Sequence, residues 1–439
     1  MKKQNKKHLS KALFLLLLLI TVFTLASCRS AGSDTVLDIP TLESNIQSET
    51  DYSIDCVWEY LDRWEFPRFS ATRFSEVEKI FEKHYYKELP KRYDAAVKTA
   101  EIFLEDYYSK TDLSNESLVT DALITSYVDA VGDRYSIFRT PVEYDDYSSN
   151  MSGKYIGIGV TVIQNENDLI EIVSTDEGSS AEAAGLLAGD VIFKVDGKSV
   201  IEIGYSAAID LIPGEEGTNV SLSVMRGDKE LTFSIARKKI VEKSVIYSLE
   251  EGIGYIRIKS FKSNTDEQFE KAIDYMKDSG ARGIIYDLRS NGGGYLESVE
   301  NMLEYIAPKG TTLVSFSNGY DDPFVDNDSH SYYAPSVVIC NNNTASAAEL
   351  FTAGIRDLSK MGYFDAMIVV VTTRGKGIMQ NTYHLLGGST LTLTVAYYNP
   401  PSGKNYHEDG IEPNRIVELG ADSDTQLAAA YEEIEKLIK

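Results

Sequence analysis

The sequence predicts an α+β protein of several domains: a helical N-terminal region, a compact β-rich module with two short helices, and a larger α/β layered unit. Three observations predict it. The hydrophobic period turns from helical to strand-like at Tyr155, and near Val241 it turns again, to strands alternating with amphipathic helices. The chain of 439 residues is long enough for two or three domains. A hydrophobic content of 43% with 10% aromatics is that of a folded protein rather than a disordered one.

Residues 1–27 come first. The basic stretch MKKQNKKHLSK precedes the apolar run Ala12–Ala26, and Leu25-Ala26-Ser27-Cys28 ends it. This is a secretory-signal layout. The run is shorter than the ~20 residues of a membrane-spanning helix, although an uncleaved anchor with an incidental cysteine is the rival reading. Leu-Ala-Ser-Cys resembles the lipobox of bacterial lipoproteins, which implies lipidation of Cys28 and an extracytoplasmic, membrane-tethered protein. The formal charge is −24, and without the five lysines of residues 1–27 it becomes −29. Such a surface repels phosphate backbones and anionic headgroups, which argues against nucleic acid and for a hydrophobic attachment.

Residues 28–50 are rich in Ser, Thr, Asp and Gly, and read as a flexible tether. Residues 51–150 are helical: Phe74, Val77, Ile80 and Phe81 share one face, as do Ala96, Ala100, Phe103 and Leu104. A plain helical scaffold accounts for this region. Residues 151–240 hold five strand patterns (GIGVTVIQ, LIEIVST, DVIFKVDG, VSLSVMR, ELTFSIAR) and two short helices, SAEAAGL and YSAAIDLI. Residues 241–420 alternate the strands GYIRIKSF, GIIYDLRS, SVVICN, MIVVVTT and TLTLTVAYY with the helices DEQFEKAIDYMKDSG and SAAELFTAGIRDLSK. Residues 421–439 form a last helix.

Chemistry concentrates in the α/β unit. The strand Val337–Cys340 runs into polar residues, and a helix begins at or beside Ser346. A serine there can meet a substrate carbonyl where the helix amides converge, with the Ala347 N–H placed for an oxyanion. Ser346-Ala-Ala-Glu349 is equally a capping box, and locally that reading comes first. A base must come from elsewhere. The histidines are His8, His84, His330, His384 and His407, and no GxSxG elbow supports a Ser–His–Asp arrangement. Lys376, between Gly375 and Gly377, follows the apolar strand Met367–Val371. Burial can lower a lysine toward neutrality, and an extended Lys376–Gln380 puts Gln380 on the same face. An exposed turn lysine is the alternative. Asn291-Gly-Gly-Gly294 offers amides to an anion or makes only a tight turn. Gly197-Lys198-Ser199 ends like a phosphate-binding loop but lacks the leading glycine. Cys56 and Cys340 have no metal-site spacing, and no HExxH occurs, so neither a metal nor a cofactor is expected.

Taken in order, DRYSIFRTPVEYDDYSSNMSGKYIGIGV, SSAEAAGLLAGDVIFKVDG, DLRSNGGG, TASAAEL, RGKGIMQ and TLTVAYYNPPSGK…GIEPN resemble the C-terminal processing peptidases, serine protease family S41, from Asp133 to Val417. The resemblance implies a PDZ domain over 151–240 and a ClpP/crotonase-like protease domain over 241–420. It implies Ser346 as nucleophile, Lys376 as base, Gln380 as the residue that positions the lysine, and Asp357 as a required acid. Gly293 (or its neighbour Gly294) and Ala347 are the implied oxyanion donors. Tyr155, Ile156, Gly157, Ile158 and Gly159 are implied to hold the substrate's C-terminal carboxylate. Departures are Gly292 for the family's proline, Ala348 for a serine, a longer Ser346–Lys376 connection and Arg374 for an aromatic residue. The expectation is an endopeptidase acting on proteins with free C-termini, with a homo-oligomer left open. Its rival is a catalytically silent, peptide-binding lipoprotein.

Overall fold

The computed structural model describes residues 67–327, 332–418, 420 and 423–439. The signal, Cys28, the tether, Cys56 and His330 lie outside the described residues.

The helical region opens with α1 (Ala71–His84), α2 (Arg92–Ile102) and α3 (Glu116–Val131). Ser70 caps α1 by accepting from the Arg73 N–H, and Asn115 caps α3 in the same way. Phe74, Val77 and Phe81 of α1 meet Val119, Leu123 and Ile124 of α3. The same core takes in Phe138, Leu391, Leu393 and Val395. The region is therefore no free-standing scaffold, because one face of its helices is the lid on a sheet of the α/β unit. Strand β1 (Ile137–Arg139) joins that sheet, and α4 (Pro141–Met151) follows behind a Thr140–Glu143 capping box.

The β-rich module begins with β2 (Lys154–Gly157), β3 (Val160–Gln164) and β4 (Ile170–Thr175), then α5 (Ser180–Ala184). After it come β5 (Val191–Val195), β6 (Lys198–Ser199), α6 (Val200–Ile203), α7 (Tyr205–Ile209), β7 (Asn219–Arg226), β8 (Lys229–Ala236) and β9 (Lys238–Val241). Its sheet runs β3-β4-β5-β7-β8, with β6 beside β5. Inward Ile170, Ile172, Ile192, Leu222 and Val224 close one core with Ile158. Strand β2 stays out of that sheet and pairs with β9, so the chain enters and leaves the module through one two-stranded ribbon.

The α/β unit contains β10 (Val245–Glu250), β11 (Ile253–Ile258), α8 (Thr265–Asp278), β12 (Gly283–Asp287), α9 (Leu296–Glu304), β13 (Thr312–Phe316) and β14 (Phe324–Val325). It continues with β15 (Ser336–Cys340), α10 (Ala347–Lys360), β16 (Ala366–Val370), β17 (Ile378–His384), β18 (Thr390–Asn399), β19 (Arg415–Ile416) and α11 (Thr425–Leu437). Strands β10-β11-β12-β15-β16-β19 form a six-stranded sheet, parallel from β11 onward. Residues of α8, α9 and α10 fill the core on one face, and Ala429, Ala430 and Ile434 of α11 cover the other. A parallel sheet covered on both sides explains why all five residues of β12 and of β15 are buried. The second sheet runs β1-β18-β13-β14 with β17 on β18. Strands β13 and β17 and helix α9 carry no expectation from the sequence. The two strands are short or half-exposed, so their period is weak, whereas α9 has a clear buried face of Val299, Met302 and Leu303 that the sequence reading does not single out.

Candidate active site

The nucleophile candidate sits at the carboxyl end of β15, where ligand sites in parallel sheets form. Asn341 and Thr344 shape the turn. The Thr344 hydroxyl donates to the Leu288 carbonyl at 2.8 Å and accepts from the Asn341 N–H at 2.9 Å. Ser346 then takes φ +57°, ψ −123°, a conformation L-residues rarely adopt, and α10 starts at Ala347. The sharp turn stands the Ser346 side chain at the helix N-terminus, half-buried, where it interacts with the Tyr398 hydroxyl. The capping and nucleophile readings are compatible, because the cap runs chiefly through Glu349. Its carboxylate accepts the Ser346 N–H at 2.8 Å.

Glu349 is the residue that sequence reasoning passed over as a mere cap. It is fully buried. Its carboxylate also accepts from the Lys376 N–H (2.8 Å), the Gly375 N–H (2.6 Å) and the Thr373 hydroxyl (2.5 Å). One carboxylate thus ties the backbone of the serine to the backbone of the lysine. The signal available in the sequence was a buried-position acid with four donors to satisfy, and periodicity cannot reveal partners so distant in sequence.

Lys376 lies on a loop pressed between that carboxylate and the segment after β18. A Cβ on Gly375 would stand 3.0 Å from the Glu408 carbonyl carbon, and one on Gly377 would stand 2.7 Å from Asn405 Oδ1. Only glycine fits both places. The Lys376 amine donates to Gln380 Oε1 at 2.7 Å and faces the Tyr135 ring, 5.0 Å from its centroid. Burial lowers its pKa, and Arg374 lowers it further, against the opposing charges of Asp133 and Glu349. The Tyr398 hydroxyl donates to the Lys376 carbonyl at 2.8 Å, so one tyrosine reaches both residues. No hydrogen bond joins Ser346 directly to Lys376 in this conformation: the amine is engaged by Gln380 and the serine by Tyr398.

The glycine turn comes against the serine from β12. A Cβ on Gly293 would lie 2.8 Å from Ser346 Cβ and 3.0 Å from the Ala347 nitrogen. Ala347 opens its helix, so its N–H has no acceptor within the helix. The Gly293 N–H, however, donates to Asn291 Oδ1 at 2.9 Å. The expectation of Gly293 as an oxyanion donor therefore meets a turn whose N–H is already paired. The reason is Asn291, fully buried, which also donates to the Ile258 carbonyl and accepts the Ala345 N–H on its own carbonyl.

Asp357 is not brought to Ser346 or Lys376. Three turns along α10, at ~1.5 Å per residue, its buried carboxylate accepts from Arg356 Nε at 2.8 Å and from the Ser402 hydroxyl at 2.5 Å. It anchors the loop after β18. The other charged anchor is Asp287, which holds Tyr255 and Arg289, and Arg289 reaches Asp424 at the start of α11. His84 packs tilted against Tyr383, and His384 meets Tyr144 edge to face. Cys340 is buried, and its thiol is pushed up to about 12. Among the described residues no group of His, Cys, Asp or Glu could hold a metal ion, and no helix is long and apolar enough to cross a membrane.

Of the five residues expected to hold a peptide tail, Tyr155, Ile156 and Gly157 face Ile240, Lys239 and Lys238 across the β2–β9 ribbon. The carbonyls of Ile158 and Gly159 accept from Ala181 and Asp176. The next strand, β3, is a sheet edge.

The profile of peptidase family S41 matches residues 252–417, and that of the PDZ domain matches residues 171–226. The carboxy-terminal processing protease CtpA of Bacillus subtilis is 33% identical over 332 residues, 75% of this chain and 69% of that one. A Staphylococcus haemolyticus protein named "Probable CtpA-like serine protease" is 34% identical over 71% of this chain and 62% of its own. The chain thus spans 62% to 69% of the length of these two relatives. The crystal structure of an S41-type protein from Bacteroides fragilis shares the fold, with a TM-score of 0.53 at 17% identity, over 82% of this chain and 97% of that one.

Proposed function

The chain belongs to the C-terminal processing peptidases of family S41 and carries a PDZ domain, and on that premise we propose a serine endopeptidase working through Ser346 and Lys376. The observation that carries the reading is the Glu349 carboxylate, which spans the two backbones while burial disfavours the lysine's charge. The neutral Lys376 amine takes the Ser346 proton as Oγ attacks a peptide carbonyl. The Ala347 N–H, at the positive end of α10, receives the developing oxyanion. The C–N bond breaks and the leaving amine takes the proton from Lys376. The neutral Lys376 amine then deprotonates a water that attacks the ester, and the proton returns to Ser346 Oγ as the acid leaves. Contact between the serine and the lysine requires the amine to turn from Gln380, a tightening common when substrate enters an apo site.

The tail of the substrate would lie along the edge strand β3, its carboxylate on the N–H groups of Ile158 and Gly159. Gln380 positions the amine, and Asp357 acts at a distance, through the loop at Ser402. Cys28 would carry the lipid that keeps the protein at the membrane on the extracytoplasmic side.

A fluorophosphonate serine probe tests the reaction. Wild type should be labelled, Ser346→Ala should not, and Lys376→Met should be labelled at least about a hundredfold more slowly, the scale of general-base catalysis. Folded wild-type protein that takes no label favours the silent peptide-binding protein.

A further inference from the structure

Resting on that reading of the dyad, we propose that Tyr135, from the N-terminal helical region, is a positioning residue for the base: it holds the Lys376 amine between its ring and Gln380.

The turn Asp133–Ser136 carries the argument. The Asp133 carboxylate closes it, accepting from the Tyr135 N–H at 3.1 Å and from the Ser136 hydroxyl at 2.6 Å. Ser136 is buried and accepts the Thr394 N–H of β18 at 3.3 Å, which fixes the turn to the second sheet. Across β17–β18, the partner of Thr394 is Gln380, and the register shifts between Met379 and Gln380. Such a bulge re-aims the side chain beside it. The turn is therefore fastened to the one register position from which the lysine's partner projects.

Two contacts then converge. Gln380 Nε2 donates to the Tyr135 carbonyl, which leaves its Oε1 to accept from the lysine amine at 2.7 Å. The Tyr135 ring forms the other wall, its centroid 5.0 Å from the same amine. Behind the ring, the His407 ring lies 6.2 Å away, on the segment that packs over Gly377. The ring thus sits between the lysine amine and the segment that packs over Gly377. Three charged groups act on the amine: Asp133 from the turn, Glu349 from α10 and Arg374 from the lysine's own loop. The Tyr135 ring itself carries Arg134, whose guanidinium lies 4.7 Å from the ring centroid and donates to the Tyr135 hydroxyl at 2.6 Å, and it faces His407. A ring face attracts an ammonium but also excludes water, and the ring belongs to the buried surroundings that lower the lysine's pKa.

The test is the pH profile of kcat and KM for peptide cleavage by the full chain carrying Tyr135→Phe, Tyr135→Leu or Tyr135→Ala. Tyr135→Phe should keep the wild-type rate and the wild-type midpoint of its rising limb. Tyr135→Ala should lose about tenfold or more in kcat, with KM little changed, and its midpoint should move to higher pH because water reaches the amine. Tyr135→Leu, which keeps bulk without the ring, should show the kcat loss and serves if Tyr135→Ala does not fold. Wild-type kcat and midpoint in a folded Leu or Ala variant would overturn the proposal, as would equal losses in all three. Serine-probe labelling separates the two readings: wild type that labels through Lys376, with Tyr135→Leu labelled equally fast, removes the role of Tyr135 alone. Wild type that neither cleaves nor labels removes the dyad and Tyr135 with it.

Discussion

In the proposed reaction Lys376 must be neutral, because an ammonium cannot take a proton. Its pKa is lowered first by burial and then by Arg374, so the neutral amine becomes populated at a pH below that of an ordinary lysine. The sign follows directly: below the lowered pKa the amine is charged and inactive, and the cleavage rate rises as pH climbs through it. Lys376→Arg keeps a charge that does not titrate below pH ~12. It should abolish cleavage as completely as Ser346→Ala, and the double variant should lose little beyond either single change, since the pair acts as one unit. Steady-state kinetics with a melting curve for each variant checks this. A folded Lys376→Arg enzyme that cleaves at the wild-type rate rules out the lysine as base. Removing the nearby Arg374 charge should in turn move the rising limb to higher pH.

At the scale of elements, the strands and helices that carry the dyad could be read from the sequence, whereas the connections between them could not. Helix α10 and strand β16 have strong periods, so Ser346 and Lys376 could be set at their ends. Spacing also paired Lys376 with Gln380, which lie 2.7 Å apart. Glu349 was legible only as a local cap, because its other three donors lie 24 to 27 residues away. Tyr135 was hidden more deeply, since its separation from Gln380 is 245 residues. The triple glycine could be read as an anion turn or a plain one. Its geometry shows a different constraint: Gly294 has φ +147°, and a Cβ there would stand 1.9 Å from the Phe261 carbonyl oxygen. That carbonyl accepts the Tyr295 N–H, and Phe261 in turn donates to Gly293. Gly294→Ala should therefore push the turn off Phe261 and destabilise the protein by about 2–4 kcal/mol, a backbone clash with strain added. Gly292→Ala, where a Cβ meets nothing within 4 Å, should stay within about 0.5 kcal/mol of wild type. Denaturant midpoints at constant slope measure both, and equal midpoints would contradict the clash.

For the whole molecule, the sequence marks where the modules change but not how they interlock. The N-terminal helices share a core with β18, and β1 extends its sheet. The PDZ domain keeps a core of its own, entered and left through β2 and β9. That ribbon ends beside the active-site turns. Lys262, next to Phe261, pairs with Glu242 just beyond β9 and donates to Asn150 at the end of α4. Ser263 and Asn264 bond the backbone of residues 151–153. The far side of the ribbon is thus linked through Phe261 to the backbone of Gly293. If the N–H groups of Ile158 and Gly159 hold the substrate's carboxylate, as proposed, they hold it by its charge. Amidating a substrate's C-terminus removes that charge and leaves the scissile bond unaltered. Loss of a charge-assisted contact to backbone amides corresponds to roughly 1.5–3 kcal/mol, so kcat/KM should fall about ten- to a hundredfold for the amidated peptide. The rates of the two peptides should become equal at concentrations well above both KM values, where kcat alone is read, if the tail contributes binding alone. A difference should persist there if occupancy of the PDZ domain also sets the catalytic turn. Equal kcat/KM for free and amidated peptides in the full chain would remove the PDZ domain from tail recognition, with the dyad chemistry unaffected.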